Sequence, residues 1–431
     1  MDTIFALATP EGKSGVAIIR VSGKNAFQLF EKFSCPPVKP NRMGLRKLIV
    51  DNKLLDEALI LCFGEGHSFT GEKVVEIHHH GSLAIIHVCL SVLGSISDFR
   101  MANPGEFTKR AFEDGRLDLS QVEGLSALID AETTVQLDQA QRVFKGALGK
   151  VVGGWRKDLI SAKALIETAI DFADEDIPQD LLKPIKTKIS VIKSELRKEI
   201  DGTVVSERIS SGFEVAIIGA PNVGKSTLFN TLLKRKAAIT SKIAGTTRDV
   251  IEARLDLGGI PLTVLDTAGI RNAKGNIEKM GVELALARAK NADLRIFVSD
   301  NGTFDSFGLK VLDGDLRINN KSDLKKNKDI DISISAKFGD GIDELLEIMV
   351  KIFKEKVGKA SIAINERHRN SMVRALKALE AAERELGSGM KNIELCAEEI
   401  NIAIRSMDSL VGSIDVEEVL GEIYSKFCIG K

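Results

Sequence analysis

The chain has 431 residues, enough for about three domains, and a formal net charge of −1, which gives no electrostatic reason to expect a nucleic-acid or membrane partner. Its five cysteines form no Cys-x-x-Cys pair and are odd in number, which argues against a disulfide framework or a zinc site. No apolar run approaches about twenty residues, and the first residues lack the order of a signal peptide. We therefore expect a soluble, cytoplasmic protein.

The amino-terminal part, to about residue 117, predicts mixed α and β structure. Alternating apolar residues predict strands at 15–21, 45–50, 54–63 and 73–79, and helices are expected at 82–93 and after a sharp turn at 104–107. His78, His79 and His80 raise the question of a metal site. Consecutive residues on a strand face opposite sides, so these three side chains cannot converge on one ion without help, and we do not favour a metal there.

Helical periodicity begins near Leu119 and continues to about residue 209. The sequence Ser120-Gln-Val-Glu123 is typical of a capping box and predicts the start of the first helix. Helical periodicity resumes after residue 357. Each flank has only a narrow apolar stripe, so we expect both flanks to form one bundle that another domain interrupts. The lysines between 183 and 198 are interpreted as a solvated face rather than an RNA-binding patch.

The interrupting segment contains a phosphate-binding pattern. An apolar run at 215–218 predicts a buried strand, 227–233 predicts a helix, and Gly-x-x-x-x-Gly-Lys-Ser at 219–226 lies between them. In such a loop backbone N–H groups face a polyphosphate, Lys225 reaches the β- and γ-phosphates, and the Ser226 hydroxyl can ligate Mg²⁺. An ordinary glycine-rich turn is the alternative.

Further motifs follow in the order expected of a GTP-binding domain. Asp-Thr-Ala-Gly at 266–269 ends a second apolar strand, and Thr246-Thr247 lies where a switch threonine would complete the metal shell. Asn-Lys-Ser-Asp at 320–323 offers a carboxylate to the two donors on the guanine edge, and an adenine would leave that carboxylate unpaired. Ser-Ala-Lys at 335–337 can support the base. The segment between 299 and 320 is short and polar for a core strand, so we expect a loosely built base-binding edge.

The site lacks a residue that many switch GTPases use. Ile270 stands directly after the Asp-x-x-Gly motif, where a glutamine would orient the attacking water. No arginine finger is identifiable from the sequence. A cation could replace the finger electrostatically, and Asn222 offers it a carbonyl oxygen, although Asn222 could equally be a turn residue.

Several short segments resemble the MnmE/TrmE family of tRNA-modification GTPases. They lie at 8–10, 15–23, 68–72, 103–108, 116–119, 244–249 and 427–431, so the match covers the whole chain. The resemblance implies a multidomain fold with an α+β folate-binding and dimerisation domain at 1–118 and a helical bundle domain in two parts, 119–211 and 358–431. An α/β P-loop GTPase domain of the Ras-like type is inserted at 212–357.

The resemblance also implies an activity. With an FAD-dependent MnmG/GidA-type partner, such homodimers add an aminomethyl or carboxymethylaminomethyl group to carbon 5 of the wobble uridine of certain tRNAs. A heterotetramer with the partner is expected. The one-carbon unit comes from a tetrahydrofolate derivative, 5,10-methylene- or 5-formyl-. Potassium bridges the phosphate loop and switch I, and the GTPase domains pair across the dimer during hydrolysis.

Carried onto this chain, the resemblance implies a set of site residues. The GTP contacts are Asn222, Val223, Gly224, Lys225, Ser226, Thr227, Ser241, Lys242, Ile243, Ala244, Gly245, Thr246, Thr247, Asp266, Thr267, Ala268, Gly269, Asn320, Lys321, Asp323, Ser335, Ala336 and Lys337. The Mg²⁺ ligands are Ser226 and Thr247, and the K⁺ contacts are Asn222, Ser241, Ile243 and Thr246. The folate contacts are Arg20, Glu76, Arg116 and Lys431. The catalytic residue is Glu278 on switch II, with a solvated residue at a helix start as the alternative.

Two questions stay open at this point. The first is function: a ribosome-assembly-type GTPase that binds RNA, or a GTP-switched scaffold without chemistry, would also explain the GTPase motifs. Tetrahydrofolate binding by residues 1–118 would distinguish the family function from the assembly factor, and the scaffold predicts negligible GTP turnover even in the dimer. The second is the role of the carboxyl-terminal tail, residues 428–431. Three interpretations compete: the tail is disposable, it supplies Cys428 as a nucleophile, or it places Lys431 against the pterin. We favour placement, because neither direct neighbour of Cys428 in the sequence, Phe427 or Ile429, is a basic residue that could lower its pKa.

Overall fold

The computed structural model describes residues 2–171, 182–235, 251–266, 286–304, 308–324, 331–388, 392–412, 420–421, 423–424, 427 and 430. The chain forms two compact units. The first comprises Met1–Ser126, Phe144–Ile160 and Ile404–Lys431, and the second comprises Ala127–Val143 and Ser161–Ala403. None of the described helices combines the length and apolar character that a membrane span requires.

The first unit is built on a six-stranded sheet. Its strands are β1 (Thr3–Leu7), β2 (Ser14–Ser22), β3 (Arg42–Val50), β4 (Lys53–Phe63), β5 (Val74–Gly81) and β6 (Phe99–Met101). The strand order is β3-β4-β5-β2-β1-β6, and only β1 and β6 pair in parallel. The helices α1 (Leu29–Lys32), α2 (Leu83–Gly94) and α3 (Glu106–Glu113) follow in the same part of the chain. The four predicted strands are confirmed, and β1 and β6 were not predicted.

The three histidines follow the alternation of β5. The side chain of His79 is buried, whereas His78 and His80 lie on the opposite face of the strand. His78 Nε2 lies 3.3 Å from Glu76 Oε2, and His80 Nδ1 lies 2.8 Å from Asp56 Oδ1. The three imidazoles therefore have different surroundings.

Helices dominate the remaining sequence outside the second sheet. They are α4 (Leu119–Asp130), α5 (Thr134–Phe144), α6 (Ala147–Asp171), α7 (Leu182–Ser211), α8 (Lys225–Arg235), α9 (Ile342–Val357), α10 (Glu366–Gly387) and α11 (Ile393–Val411). The predicted apolar stripes are buried, for example Leu159 and Ile166 on α6 and Ile189 and Leu196 on α7.

The predicted capping box at Ser120 and Glu123 is wrong by two residues. Asp118 Oδ1 accepts a hydrogen bond from the Gln121 backbone N–H at 2.8 Å, and Gln121 Oε1 accepts one from the Asp118 N–H at 3.0 Å. This reciprocal pair is the capping box, with a carboxylate and an amide in place of the expected residues. Since Leu119 is already helical, Ser120 lies too far into the first turn to cap it.

Helices from both flanks pack together in the second unit. Lys193 Nζ on α7 donates to Glu383 on α10 at 2.5 Å, and Arg197 donates to Glu380 at 2.7 Å. The interpretation of the lysines of 183–198 as a solvated face is therefore wrong for Lys193, which is buried against its partner helix. The acidic residues of α10 compensate part of the basic charge of α7.

The second sheet carries the phosphate-loop motif. Its strands are β7 (Phe213–Ile218), β8 (Ile251–Leu257), β9 (Ile260–Asp266), β10 (Leu294–Ser299), β11 (Leu316–Asn319) and β12 (Ile332–Ser333). The order is β12-β11-β10-β7-β9-β8, and only β8 is antiparallel to its neighbour. The carboxyl ends of the parallel strands meet at one edge, where open α/β sheets bind ligands.

The base-binding edge is better supported than the sequence suggested. The expectation of a loosely built edge is wrong, because β11 pairs in parallel with strands on both sides and buries Leu316 and Ile318. The loop before β11 is held by a buried ion pair between Arg295 and Asp315. A four-residue strand gives too short an alternation to be recognised from sequence.

The tip of the β8–β9 hairpin generates a stability prediction. Gly259 has φ +90°, and a Cβ there would overlap Thr134 Oγ1 at the start of α5. Gly259→Ala should lower the free energy of unfolding by about 2–4 kcal/mol, since left-handed strain costs about 1–2 kcal/mol and steric overlap adds to it. Denaturant unfolding measures the change.

Gly258→Ala is the matched control, because Gly258 also has positive φ but space for a methyl group. It should cost only the backbone strain. Adding Thr134→Ala to Gly259→Ala should recover part of the loss. Equal losses at 258 and 259, with no recovery in the double variant, would contradict this steric account.

Candidate functional site

The phosphate loop joins β7 to α8, and at two of its positions a side chain larger than that of glycine does not fit. A Cβ at Gly219 would overlap the Val298 carbonyl oxygen of the neighbouring strand β10. Gly224 has φ +98°, and a Cβ there would overlap Asn320 Nδ2. Helix α8 begins at the next residue, Lys225, so the positive end of its dipole faces the loop as phosphate binding requires.

Asn320 ties the phosphate loop to the predicted base-binding segment. Its Nδ2 donates to the Val223 carbonyl oxygen at 2.8 Å, and its Oδ1 accepts from the Ala336 N–H at 3.0 Å. The side chain is 3% exposed, so water does not compete strongly for these bonds. The structure thus brings three predicted site residues together.

The predicted guanine-reading carboxylate is oriented by its neighbour. Ser335 Oγ donates to Asp323 Oδ1 at 2.6 Å, and the Asp323 side chain is exposed at the edge of the sheet. A carboxylate held in this way can accept hydrogen bonds from a guanine edge. Thr231 of α8 donates to the Ala336 carbonyl oxygen at 2.8 Å, which further fixes the Ser-Ala-Lys segment.

The two charged residues predicted at the phosphate end, Lys225 and Asp266, both have defined surroundings. Lys225 Nζ donates to the carbonyl oxygens of Gly219 and Ala220, each at 2.8 Å. Asp266 ends β9 beside Ile217 of β7, and both Lys225 and Asp266 are buried. Ser226 and Thr227 are exposed at the start of α8, so Ser226 is accessible to a metal ion.

Part of the predicted site cannot be located. Ser241, Lys242, Ile243, Ala244, Gly245, Thr246, Thr247, Thr267, Ala268, Gly269, Glu278, Cys428 and Lys431 lie outside the described residues. Their assignments stay predictions.

In the first unit, two predicted folate contacts lie together. Arg20 Nε on β2 donates to Glu76 Oε1 on β5 at 2.9 Å, and the guanidinium lies 5.7 Å from the centre of the Phe107 ring. Arg116 has other contacts, to the Gly66 carbonyl oxygen and to Asp114.

The carboxyl-terminal Gly430 reaches the same place. Arg20 Nη1 donates to the Gly430 carbonyl oxygen at 3.3 Å. Gly430 has φ +106°, and a Cβ there would overlap the Leu7 carbonyl oxygen of β1. Glycine is therefore required for this close approach, which explains the residue before Lys431.

Sequence reasoning missed a charge cluster in the first unit. Arg100 and Arg110 bridge the carboxylates of Asp2, Glu72 and Glu106. Burial alone would raise the pKa of Glu106, but hydrogen bonds from Arg100 and the Asn103 backbone, with the charges of both arginines, hold that pKa below its usual value. The sequence gives one indication of this cluster: Glu72 and Glu106 lie in the segments 68–72 and 103–108, which carry the family resemblance. The cluster fixes the loop that ends at Glu72 beside Ser22.

The fold and motifs of the second unit define a P-loop GTP-binding protein. Residues 3–116 match the family model for the GTP-binding protein TrmE N-terminus, and residues 119–428 match the model for the MnmE helical domain. Proteins named tRNA modification GTPase MnmE from Cereibacter sphaeroides and Roseobacter denitrificans are each 49% identical, and one from Ruegeria pomeroyi is 47% identical. Each alignment covers 100% of both chains. The chain belongs to the MnmE/TrmE family, which confirms the resemblance.

The Asn320 bridge can be tested by removing its amide. Asn320→Ala leaves the Val223 carbonyl and the Ala336 N–H without their partner, and buried groups of this kind cost about 1–3 kcal/mol each. We expect thermal or denaturant unfolding to show a loss of about 2–4 kcal/mol, and GDP titration a loss of about tenfold or more in affinity. The exposed Asn301, whose amide oxygen bonds only within its own turn, gives the control variant Asn301→Ala. Equal effects of the two substitutions would contradict the bridging role.

Proposed function

We propose that this protein is a cytoplasmic, GTP-hydrolysing tRNA modification enzyme that acts as a homodimer. With an FAD-dependent MnmG/GidA-type partner, it adds an aminomethyl or carboxymethylaminomethyl group to carbon 5 of the wobble uridine of certain tRNAs. The observation that carries the proposal is the Asn320-held nucleotide site in a chain of this family whose relatives are named for tRNA modification.

The GTPase half of the proposal is supported by Lys225, which contacts the phosphate loop, and by the oriented carboxylate of Asp323. Lys225 would move from the loop carbonyls to the phosphates, and Asp323 would select guanine. Mg²⁺ would be held by Ser226 and Thr247, with Asp266 close to its shell. The bound Mg²⁺ supplies positive charge against the phosphates.

Potassium is proposed at Asn222, Ser241, Ile243 and Thr246. Asn222 is exposed, has φ +66° and offers an amide oxygen, the type of ligand that suits a monovalent cation. Asparagine adopts positive φ more readily than most residues, so the support for the cation is the exposed amide oxygen and not the backbone conformation. When bound, the ion supplies the charge that an arginine finger gives in other GTPases.

The folate half rests on the Arg20, Glu76 and Gly430 arrangement. A pterin edge carries an amino group and a ring N–H, which suit a carboxylate such as Glu76. Lys431 follows Gly430 directly, which supports its proposed contact with the cofactor. The bound tetrahydrofolate derivative supplies the one-carbon unit, and Arg116 is proposed as a further contact.

The cation proposal predicts a salt dependence. GTP turnover should be about tenfold or more higher in K⁺ than in Na⁺ at equal ionic strength, because a charge that replaces an arginine finger can contribute up to about 10³–10⁵. Asn222→Ala should remove the K⁺ stimulation with little change in GDP affinity, since Lys225 and backbone groups hold the phosphates. Phosphate-release assays measure turnover. Equal rates in the two salts would exclude the cation site.

Glu278 is proposed to orient the attacking water in the absence of a glutamine at Ile270. Glu278→Ala should lower the rate constant for hydrolysis by about 10²-fold or more, the size of a general-base effect, with little change in GTP affinity. Single-turnover hydrolysis is the measurement, and Glu283→Ala is the control on the same segment. A Glu278 variant with near-normal turnover would assign the residue to the surface.

The tail proposal predicts two separable outcomes. Removing Gly430 and Lys431 deletes the Gly430 carbonyl that accepts a hydrogen bond from Arg20, so equilibrium dialysis should show weaker binding of 5-formyltetrahydrofolate while GTP hydrolysis persists. Cys428→Ser should retain modification activity. Loss of modification in Cys428→Ser with intact folate binding would instead make the thiol a nucleophile. Full activity of both variants would leave the tail without a role.

A further inference from the structure

Lys321, the second residue of the Asn-Lys-Ser-Asp motif, contacts the phosphate loop. Its Nζ donates to the Asn222 carbonyl oxygen at 3.0 Å. The same ammonium forms an ion pair with Asp300, Nζ to Oδ2, at 2.6 Å. Asp300 belongs to none of the GTPase motifs and lies directly after the last residue of β10. One lysine therefore joins the end of a strand to the loop.

This contact constrains the residue proposed to hold the cation. Asn222 and Lys321 both have positive φ, +66° and +59°, although neither is glycine. Such backbone conformations persist only where the surroundings hold them. The Lys321 ammonium holds the Asn222 peptide by its carbonyl, and the orientation of that peptide sets the direction in which the Asn222 side chain leaves the loop.

Asp300 is itself held in place by the strand end. Ser299 is buried at the end of β10, and its Oγ accepts hydrogen bonds from the N–H groups of Asn301 and Gly302 at 3.3 Å and 3.0 Å. This tight turn fixes the backbone on both sides of Asp300. The carboxylate is thus presented to Lys321 by the sheet and not by a long loop.

Charge gives a second reason for the carboxylate. An ammonium beside Asn222 repels a monovalent cation bound by the same residue, and the Asp300 carboxylate offsets that repulsion. Without Asp300, Lys321 would lose both its orientation and its neutralising partner. Both effects weaken cation binding and leave the phosphate contacts of Lys225 unchanged.

We propose that Asp300 is a positioning residue for the monovalent-cation site, acting through Lys321 on Asn222. The inference rests on the proposed potassium dependence of GTP hydrolysis and adds a residue to it. It connects the guanine-binding motif to the cation site. Asp300 orients Lys321 of that motif, and Lys321 in turn orients Asn222 of the phosphate loop for K⁺ binding.

The test is the K⁺ concentration that gives half-maximal GTP turnover, measured with the full-length protein at constant ionic strength with choline. Asp300→Ala should raise this concentration about two- to fivefold, because Asp300 and Lys321 are 32% and 39% exposed and such pairs are modest in strength. Asp300→Asn keeps an acceptor oxygen but loses the charge. Its half-activating K⁺ concentration should lie between those of the unmodified protein and Asp300→Ala. Asp300→Glu keeps the charge, so its half-activating K⁺ concentration should stay close to that of the unmodified protein. GDP affinity in Na⁺ should change less than twofold in all three.

Asp313→Ala is the control, since Asp313 is an exposed carboxylate on the segment before β11. It should leave the half-activating K⁺ concentration unchanged. An unchanged value in Asp300→Ala, or a loss of GDP affinity that is equal in Na⁺ and K⁺ without a change in that concentration, would overturn the inference alone. If the unmodified protein shows no K⁺ stimulation, the cation site itself fails and the role of Asp300 fails with it.

Discussion

The Asn320 amide is the constraint on which the nucleotide site depends. It is buried and joins the Val223 carbonyl to the Ala336 N–H, so the phosphate loop and the base-binding segment cannot move independently. The short strand β11 makes this possible, because its parallel pairing on both sides delivers Asn320 to the carboxyl edge of the sheet. Gly224 is required for the same reason, since any side chain there would occupy the space of the amide. These contacts of Asn320 hold the shape of the phosphate loop.

Residues near the two ends of the chain are held together by contacts within the first unit. Arg20 and Gly430 are far apart in sequence, yet the arginine binds the carbonyl of the glycine. Leu420, Tyr424 and Phe427 pack with Leu119 and Val122 in one apolar cluster of the first unit. The end of the chain is thus anchored before it reaches Gly430. Gly430, held by Arg20 and packed closely against Leu7, is a structural part of the first unit.

Sequence reasoning succeeded where the information is local. The phosphate loop and the apolar stripes of α6 and α7 depend on short patterns, and the structure confirms them. It failed at the first turn of α4, where Asp118 caps in place of Ser120, because several polar residues in a row fit the same pattern.

Long-range contacts could not be predicted. The pairing of Lys193 with Glu383, the charge cluster around Arg110 and the ion pair of Asp300 with Lys321 each join residues from different elements. Nothing in the local sequence specifies such partners, because the fold decides which charges meet. The buried β11 was missed because four residues give too little periodicity.

The central claim is that one chain joins a GTPase to folate-dependent modification of tRNA. The most direct measurement combines this protein with the FAD-dependent partner, unmodified tRNA, GTP, K⁺, 5,10-methylenetetrahydrofolate and a nitrogen donor, ammonium or glycine in separate reactions, and follows the mass of the wobble uridine. The account predicts a substituent on carbon 5 that appears only when the folate and hydrolysable GTP are both present. An unmodified uridine in the complete mixture, or a substituent that forms equally well without folate, would contradict the account.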